Sequence, residues 1–212
     1  MLKIKNLSYG YNKCHRKYLV KNLNFSVENG RIQLVFGKSG LGKSTLLKLI
    51  SGVGCDKIFW NGEIIFEKKD ISHYPIEKRK IGFVMQDRHL FPHFTVFDNL
   101  LFVMSKFLSD KKNIINDNLE KTSMENLSKL YPYQLSGGQT SRIACLRTLL
   151  SFPKAILLDE PFSSLDTKTK NDFKKFVVSE IKCRNIPCIL ISHDNEDNKI
   201  SDYIAINLKN YN

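Results

Sequence analysis

The chain has 212 residues, 42% of them hydrophobic, and a formal net charge of +12 at pH 7. That length suits a single domain with a sizeable core, and no apolar run approaches the roughly 18 residues that a membrane-spanning helix requires. The first residues alternate like a strand instead of forming a signal peptide, and the five scattered cysteines include no C-x-x-C pair. We therefore expect a cytoplasmic protein with reduced thiols, which excludes a secreted disulfide framework and a zinc site.

The positive charge is concentrated at the beginning, where residues 1–31 hold seven Lys or Arg and one Glu. Such a balance is found in proteins that bind nucleic acid or an anionic membrane surface, and it is also found on ordinary solvated faces. Because no aromatic-interleaved basic stripe and no nucleic-acid motif accompanies the charge, we prefer the solvated face and expect no nucleic-acid partner.

The first predicted elements in chain order are strands. Residues 2–8 and 18–27 alternate between apolar and polar side chains, which predicts half-exposed strands of an antiparallel region. A turn at 28–30 then leads into a short apolar strand over 31–36, and apolar residues at helical spacing follow over 45–50.

Between that strand and that helix, Gly37–Ser44 fits the pattern G-x-x-x-x-G-K-[ST]. Glycines let several backbone N–H groups point at one anion, and the following helix adds the positive end of its dipole. Lys43 is expected to reach the β- and γ-phosphates of a nucleotide, and the Ser44 hydroxyl to bind Mg²⁺. The alternative, a chance glycine-rich turn, is disfavoured by the flanking strand and helix. The predicted nucleotide-binding residues here are Gly37, Lys38, Ser39, Gly40, Gly42, Lys43, Ser44 and Thr45.

The middle of the chain changes character. Asn61-Gly62 predicts a turn before a strand over 63–66, residues 74–80 resemble a charged loop, and residues 80–85 form a predicted strand that ends at Gln86. Residues 96–131 show patchy helical periodicity and lysine- and asparagine-rich gaps, which predicts a mostly helical and more mobile insert.

A second candidate anion site lies at Leu135-Ser-Gly-Gly-Gln139, which opens a helix that runs to about Leu150. Ser136 and Gln139 fit a simple capping box, but two consecutive glycines are poor helix formers and suit a backbone that something approaches closely. A hydroxyl and a helix N-terminus form an anion site. A chain that carries two anion sites but binds one nucleotide suggests that another subunit supplies the second anion site for each nucleotide.

The last third predicts a buried parallel sheet. Ala155–Leu158 and 187–191 are fully apolar strands, a helix lies between them at about 168–184, and a strand over 202–208 closes the chain. Alternating strands and helices indicate an α/β fold with a mainly parallel sheet, in which ligands bind at the carboxyl ends of the strands.

Three polar residues follow those apolar strands. Asp159 is a candidate Mg²⁺ ligand, Glu160 a candidate base for the attacking water, and His193 a candidate contact to the γ-phosphate or the water. The alternatives are a polar cap before Pro161 and a surface histidine. Placement at strand ends beside a P-loop favours the functional interpretation.

Taken together, these motifs resemble those of the nucleotide-binding subunit of ATP-binding cassette (ABC) transporters, over about residues 2 to 206. The matching segments are Walker A at Gly37–Thr45, the Q-loop residue Gln86, the signature Leu135–Gln139, Walker B at Ile156–Asp159 with Glu160, the D-loop Ser163–Asp166 and the switch histidine His193. The resemblance implies a P-loop NTPase: an α/β fold whose mainly parallel sheet is flanked by helices, with an N-terminal antiparallel β region and a helical subdomain. It divides a single domain, 1–212, into a core over 1–95 and 151–212 and a helical subdomain over 96–150.

The resemblance also implies the residue roles. Tyr11 stacks on adenine, with Tyr9 as second choice, and each ATP lies between one subunit's Walker A and the other subunit's signature in a head-to-tail homodimer or a pair with a second ABC subunit. The implied nucleotide contacts of the second subunit are Ser136, Gly137, Gly138, Gln139 and Asp166. The implied catalytic residues are Glu160, His193 and Gln86, and the implied Mg²⁺ ligands are Ser44, Gln86 and Asp159.

The implied partners are an integral membrane permease, docking on the stretch Gln86–Leu100, and an external substrate-binding protein, which places the chain on the inner face of the cell membrane. Residues 159–166 resemble importers of the thiamine, iron, polyamine and sulfate kind, with short thiamine- and iron-type subunits as the most similar group. The chain departs from the family pattern in three places: Thr140-Ser141 follows the signature, although Arg142 is kept; the insert is rich in lysine and asparagine; and the chain ends just after the last strand, which suggests no regulatory domain. The alternatives are a soluble ABC ATPase in iron–sulfur assembly, DNA repair or translation, and a switch that does not hydrolyse ATP.

Overall fold

The computed structural model describes residues 1–11, 17–55, 57–87, 89–106 and 108–211. It confirms an α/β fold with two sheets, one antiparallel and one parallel where its strand pairs are defined. The chain divides into two compact units, of which the first comprises Met1–Phe83, Lys154–Asp159 and Ile181–Asn212, and the second Val84–Pro153 and Glu160–Glu180. The predicted division at 95 and 151 therefore differs from these bounds and stays a prediction.

The antiparallel sheet has the strand order β2-β1-β4-β5. Its strands are β1 (Leu2–Tyr11), β2 (Lys17–Val27), β4 (Ile58–Phe66) and β5 (Lys69–Asp70). The predicted turn at Asn61-Gly62 is wrong, because β4 runs straight through it. Opposite Gly62, the pairing of β1 skips between Lys5 and Ser8, which is a β-bulge. The glycine therefore serves a close approach of two strands instead of a turn.

Gly62 leaves no space for a side chain. Its φ is 116°, and a Cβ built on it would lie 2.7 Å from Asn6 O and 2.7 Å from Leu7 Cα. Both are backbone atoms, which do not move aside without disturbing the pairing.

We expect Gly62→Ala to lower the free energy of unfolding in urea by about 3 kcal/mol. Gly54→Ala is the matched control, because Gly54 also has a positive φ (63°) but a Cβ there would meet nothing within 4 Å. The control should lose only about 1 kcal/mol. Equal losses in the two variants would mean that backbone conformation alone, and not the strand contact, requires the glycine.

The second sheet has the order β6-β7-β8-β3-β9. Its strands are β3 (Ile32–Phe36), β6 (Ile81–Val84), β7 (Ala155–Asp159), β8 (Cys188–Ile191) and β9 (Ile206–Asn207). The pairs β7–β8, β8–β3 and β3–β9 are parallel. The strand predicted over 202–208 is mostly wrong. Before β9, Asp202 accepts hydrogen bonds through its carboxylate from Ile32 N and Arg31 Nη1 (2.8 and 2.9 Å) and donates from its own N–H to Ile32 O (2.9 Å), so a local contact to β3 stands where a longer strand was predicted.

Helix α1 (Lys43–Ser51) follows β3, and its buried leucines join residues of both sheets in one core. The residues predicted as a loop at 74–80 include a short helix, α2 (Ile76–Arg79). Arg79 explains why this segment is ordered and is not an exposed loop. Its buried guanidinium donates to the carbonyls of Leu49 and Ile50 at the end of α1 and to those of Ser72 and Tyr74, all within 2.7–2.9 Å. Burial lowers the pKa of Arg79, and the carbonyl oxygens at the negative end of α1 compensate its charge.

The second unit contains helices and, within 96–150, no strand among the described residues, as predicted for the insert. Its helices are α3 (Val96–Phe102), α4 (Lys111–Lys121), α5 (Gly137–Leu150) and α6 (Thr167–Arg184), the last of which continues into the first unit. Short 3₁₀-helices occur at Glu125–Leu127, Pro132–Gln134, Asn195–Ile200 and Leu208–Tyr211. Val96, Leu100, Ile115 and Leu146 belong to the core that α3, α4 and α5 share.

The remaining predictions from composition concern cysteines and the membrane. None of the four cysteines in the described part of the chain forms a disulfide, and Cys14 lies outside that part. Over those same residues, no helix combines the length and the hydropathy that crossing a bilayer requires.

Candidate functional site

The P-loop connects β3 to α1 through backbone conformations that favour glycine. Gly37, Gly40 and Gly42 have φ angles of 148°, 85° and 88°. The Lys43 ammonium donates to the carbonyls of Gly37 and Lys38 (2.7 and 3.0 Å), so its charge lies inside the curve of the loop. Lys38, Ser39 and Gly40 are exposed. The loop therefore offers a cation, backbone N–H groups and a helix N-terminus to one anion.

Two tyrosines of β1 hydrogen-bond to the end of the P-loop and to the start of α1. Tyr9 is buried and donates from its hydroxyl to Gly42 O (3.0 Å), and burial raises the pKa of this phenol. A Cβ on Gly42 would lie 3.1 Å from the Tyr9 ring. The Tyr11 hydroxyl hydrogen-bonds to Thr45 Oγ1 (3.0 Å), and its side chain is 45% exposed. Tyr9 is thus part of the core and is not accessible for stacking on a base, whereas Tyr11 keeps an accessible ring beside α1.

The strand register places the P-loop strand and Walker B on one edge. Asp159 lies opposite Ile191, and Ile191 lies opposite Val35, so the carboxyl ends of β7, β8 and β3 are neighbours. His193 follows β8 by two residues and is exposed. A cavity of about 510 Å³ is lined by Gly37, Lys38, Leu41 and His193, together with Phe36, Asn207 and Lys209. The structure therefore brings the P-loop and His193 to one cavity, as their strand-end positions predict.

Hard oxygen donors are present on the same edge. Asp159 is buried at the end of β7, and the Ser44 hydroxyl is half-buried in the first turn of α1. A carboxylate and a hydroxyl are ligands of the type that Mg²⁺ prefers, with phosphates and waters completing its octahedron. The donor set therefore fits Mg²⁺. Among the described residues, no three His, Cys, Asp or Glu side chains cluster in a way that could hold a metal ion.

Two predicted catalytic residues belong to the second unit. Glu160 has a φ of 50°, which is a left-handed conformation rare for this residue type. Ser163 donates to Glu160 O from both its N–H and its hydroxyl (3.3 and 3.0 Å), which fixes the turn after Walker B. Strained backbone of this kind is concentrated at functional sites. Gln86 is exposed in a turn just after β6.

The signature begins helix α5 with the predicted capping box. Ser136 Oγ accepts from Gln139 N (3.2 Å), and Gln139 Oε1 accepts from Ser136 N (2.8 Å). Ser136 and Gly137 are exposed. The first N–H groups of a helix lack intrahelical acceptors, so those of Gly137 and Gly138 are available to an anion.

Gly138 also packs closely against another segment of the same unit. A Cβ there would lie 2.9 Å from Leu165 Cδ2 and 3.0 Å from Ser164 O. The close approach inferred from the double glycine thus involves the chain's own D-loop. Asp166, at the end of that loop, caps α6 by accepting from Thr169 N (3.1 Å), and this bonding lowers the pKa of Asp166.

The sequence profile of the family described as "ABC transporter" matches residues 20–163. The chain belongs to the ABC transporter family. This ABC ATPase is 39% identical over 199 residues to an uncharacterised ABC transporter ATP-binding protein of Escherichia coli, YnjD, covering 93% of this chain and 90% of that protein. It is 36% identical over 212 residues to the sulfate/thiosulfate import ATP-binding protein CysA of Neisseria meningitidis serogroup A. That match covers 96% of this chain and 57% of CysA, so the chain spans little more than half of the import protein.

Solved ABC cassettes have the same fold. The dimeric structure of MJ0796, a bacterial ABC transporter cassette, has a TM-score of 0.84 and 27% identity, covering 98% of this chain and 94% of that one. A dimeric post-hydrolysis state of MJ0796 bound to ADP and Pi has a TM-score of 0.81 and 27% identity, covering 95% and 92%. The family match and the solved post-hydrolysis structure support the same conclusion, which is that this ABC ATPase binds ATP and hydrolyses it.

Proposed function

We propose that this ABC ATPase powers import through a membrane permease, and that it binds MgATP at the interface of a head-to-tail dimer. The observation that carries the proposal is the exposed start of the signature helix, where Ser136 caps a helix N-terminus that begins with two glycines, apart from the P-loop motif. We infer a second anion site there. ATP then lies between the P-loop of one copy and Ser136, Gly137, Gly138 and Gln139 of the other, with Asp166 in the adjacent D-loop. The dimeric MJ0796 cassettes support this arrangement.

Within that site, each residue has a proposed task. Lys43 and the P-loop N–H groups bind the phosphates, and Tyr11 presents its ring to the adenine. Ser44, Asp159 and Gln86 hold Mg²⁺, which neutralises charge on the β- and γ-phosphates when bound. Glu160 accepts a proton from the attacking water.

The end of β8 supplies one further contact to the reacting phosphate. His193 is exposed and lines the same cavity as Gly37 and Lys38. We assign it a hydrogen bond to the γ-phosphate or to the water.

An aromatic surface on the second unit is the proposed permease contact. Phe91, Phe94 and Phe102 form a cluster with ring centroids 4.9–5.8 Å apart, and Phe91 and Phe102 are 39% and 62% exposed. Large exposed aromatics of this kind mark protein–protein contacts. Only Phe102 lies outside the stretch Gln86–Leu100 that the sequence predicts for docking.

Two polar side chains, the buried Asn99 and the half-buried Arg147, fix this surface. Asn99 donates from Nδ2 to the carbonyls of Phe91, Phe94 and Thr95 (3.0–3.1 Å) and accepts from Phe91 N (2.9 Å). Arg147 of the signature helix donates from Nη2 to His89 O (2.8 Å) and from Nη1 to Asn99 Oδ1 (3.3 Å), and its guanidinium lies 5.1 Å from the Phe91 ring centroid. Burial lowers the pKa of Arg147. The docking loop is therefore held by the helix that carries the signature.

The relatives support a proposed direction of transport and a proposed location. CysA is named as an import protein, and we assign this chain to import, at the cytoplasmic face of a membrane. An external substrate-binding protein then delivers the substrate to the permease.

The test is a mild-detergent pull-down of the tagged chain from its own cells. We expect a stoichiometric multi-span membrane protein to co-purify, and Phe102→Ser to lower its recovery by about tenfold, because an exposed aromatic anchor is lost. Ile204→Ser is the control, since Ile204 is 94% exposed but belongs to the other unit. Recovery of soluble partners alone would instead support an ABC ATPase outside transport.

A further inference from the structure

A second cavity, of about 290 Å³, lies within the second unit. Its walls come from the end of α4, the second turn of the signature helix α5 and the first turns of α6. Thr122 and Ser123 form part of the α4 side, and Phe173 and Phe176 form an apolar wall on α6. None of these four residues has a role in the ATP site proposed above.

The charge of this cavity is unbalanced. Lys121, Arg142 and Lys168 line it, and Asp172 is the one carboxylate in its wall. Among the described residues, neither lysine forms an ion pair, and both are exposed. Three cations against one anion create a positive potential that an anionic ligand would balance.

Arg142 is half-buried, whereas the two lysines are exposed. It donates from Nη1 to Thr122 O (3.0 Å), and its Nε is buried with no hydrogen-bond partner in the described part of the chain. Burial lowers the pKa of Arg142, and the charge of Asp166 opposes that shift from a distance. A half-buried guanidinium is normally paired with a carboxylate or phosphate. Here the bond that Arg142 makes is to a carbonyl, and no carboxylate of the described residues bonds to it.

The remaining lining suits an organic group. Phe173 and Phe176 stack with ring centroids 5.9 Å apart and an interplanar angle of 16°. The hydroxyls of Ser123 and Thr169 border the cavity, and the positive end of the α6 dipole is adjacent. The volume lies near the lower limit of about 300 Å³ for small-molecule pockets, which favours a ligand the size of a small phosphate ester.

We propose that this cavity is a binding site for a small phosphate ester, with the phosphate between Lys121, Arg142 and Lys168 and the organic group against Phe176. A phosphate dianion matches several cations better than a carboxylate does, because it offers more acceptor oxygens. The ligand bridges α4, the signature helix and α6. It therefore stabilises the helices on both sides of the signature, and it does so independently of any permease.

The test measures binding of phenyl phosphate by isothermal titration calorimetry. The protein is saturated with ADP, so that the P-loop anion site is occupied and does not contribute. We expect one phenyl phosphate per chain, and slower hydrogen exchange at residues 121–123 and 168–176 when it is bound. The variant Lys121→Gln/Lys168→Gln should bind at least about tenfold more weakly, since two charge-assisted hydrogen bonds are lost.

The matched control is Lys112→Gln/Lys175→Gln, which removes the same charge from exposed positions of α4 and α6 outside the cavity lining. Its affinity should stay within about twofold of the wild type. No binding at millimolar phenyl phosphate would overturn the proposal. So would equal weakening in both double variants, because it would show a non-specific charge effect. Either result leaves the ATPase and permease assignments unaffected.

Discussion

Glu160→Gln lowers steady-state ATP turnover by about 10²–10⁴-fold, the loss expected when a positioned base is removed. Glutamine keeps the size of the side chain and can still hydrogen-bond to the attacking water, but it cannot accept a proton. ATP binding is therefore retained, and because the sandwiched ATP is no longer hydrolysed, ATP-dependent dimers accumulate. Both effects are measured directly, by phosphate release and by size-exclusion chromatography with and without ATP.

The control for this variant is Glu125→Gln, which removes one carboxylate from an exposed residue of the same unit. It should leave turnover unchanged. Normal turnover in Glu160→Gln would contradict the assigned role. Loss of turnover without dimers would mean that the variant fails at ATP binding or closure instead of at the chemical step.

Ser136→Arg abolishes ATP-dependent dimerisation and leaves ATP binding to the single chain intact. The large side chain fills the position at the helix N-terminus where a phosphate would contact the N–H groups of Gly137 and Gly138. The N-cap is also lost, which costs about 1 kcal/mol of local stability. The measurement is best made in the Glu160→Gln background, where the wild-type interface gives a stable dimer.

A second substitution separates the cap from the anion site. Ser136→Asp keeps an N-capping side chain, so α5 remains intact, but its carboxylate repels the γ-phosphate of the other copy's ATP. Dimerisation should weaken by about 10²-fold or more, because like charges in contact cost several kcal/mol. Ser109→Arg, at an exposed position of the same unit, is the control for Ser136→Arg and should leave dimerisation unchanged. Dimers that form normally in Ser136→Asp would exclude the head-to-tail site.

The parts of the fold that the sequence predicts are those with strong local signals. The apolar strand Ala155–Asp159 and the start of α5 at Ser136 are found where the pattern places them. Each combines a clear hydrophobic run or cap with a polar residue at the strand or helix end. The site residues at the carboxyl edge follow from these strands, because the parallel register pairs Asp159 with Ile191 and Ile191 with Val35, so that the ends of β7, β8 and β3 lie at one edge.

The parts that the sequence does not predict depend on contacts between distant segments. Gly62 looks like a turn residue, but its role is set by the backbone of Asn6 and Leu7 on another strand. Arg79 lies in a charged run that resembles a loop, yet it is buried because carbonyls of α1 accept its hydrogen bonds. No local window contains the partner in either case, so propensity and periodicity carry no signal for them.

The packing of Gly138 on the D-loop has a consequence for how the two ATP molecules bound by a dimer would influence each other. Leu165 contacts the signature helix and follows Glu160 by five positions. Within one copy, the proposed base for that copy's own ATP is therefore connected through a short segment, packed on Gly138, to the serine that we propose touches the other ATP. On this proposal, we expect cooperativity between the two nucleotides to arise from packing inside each copy, without direct contact between the ATP molecules.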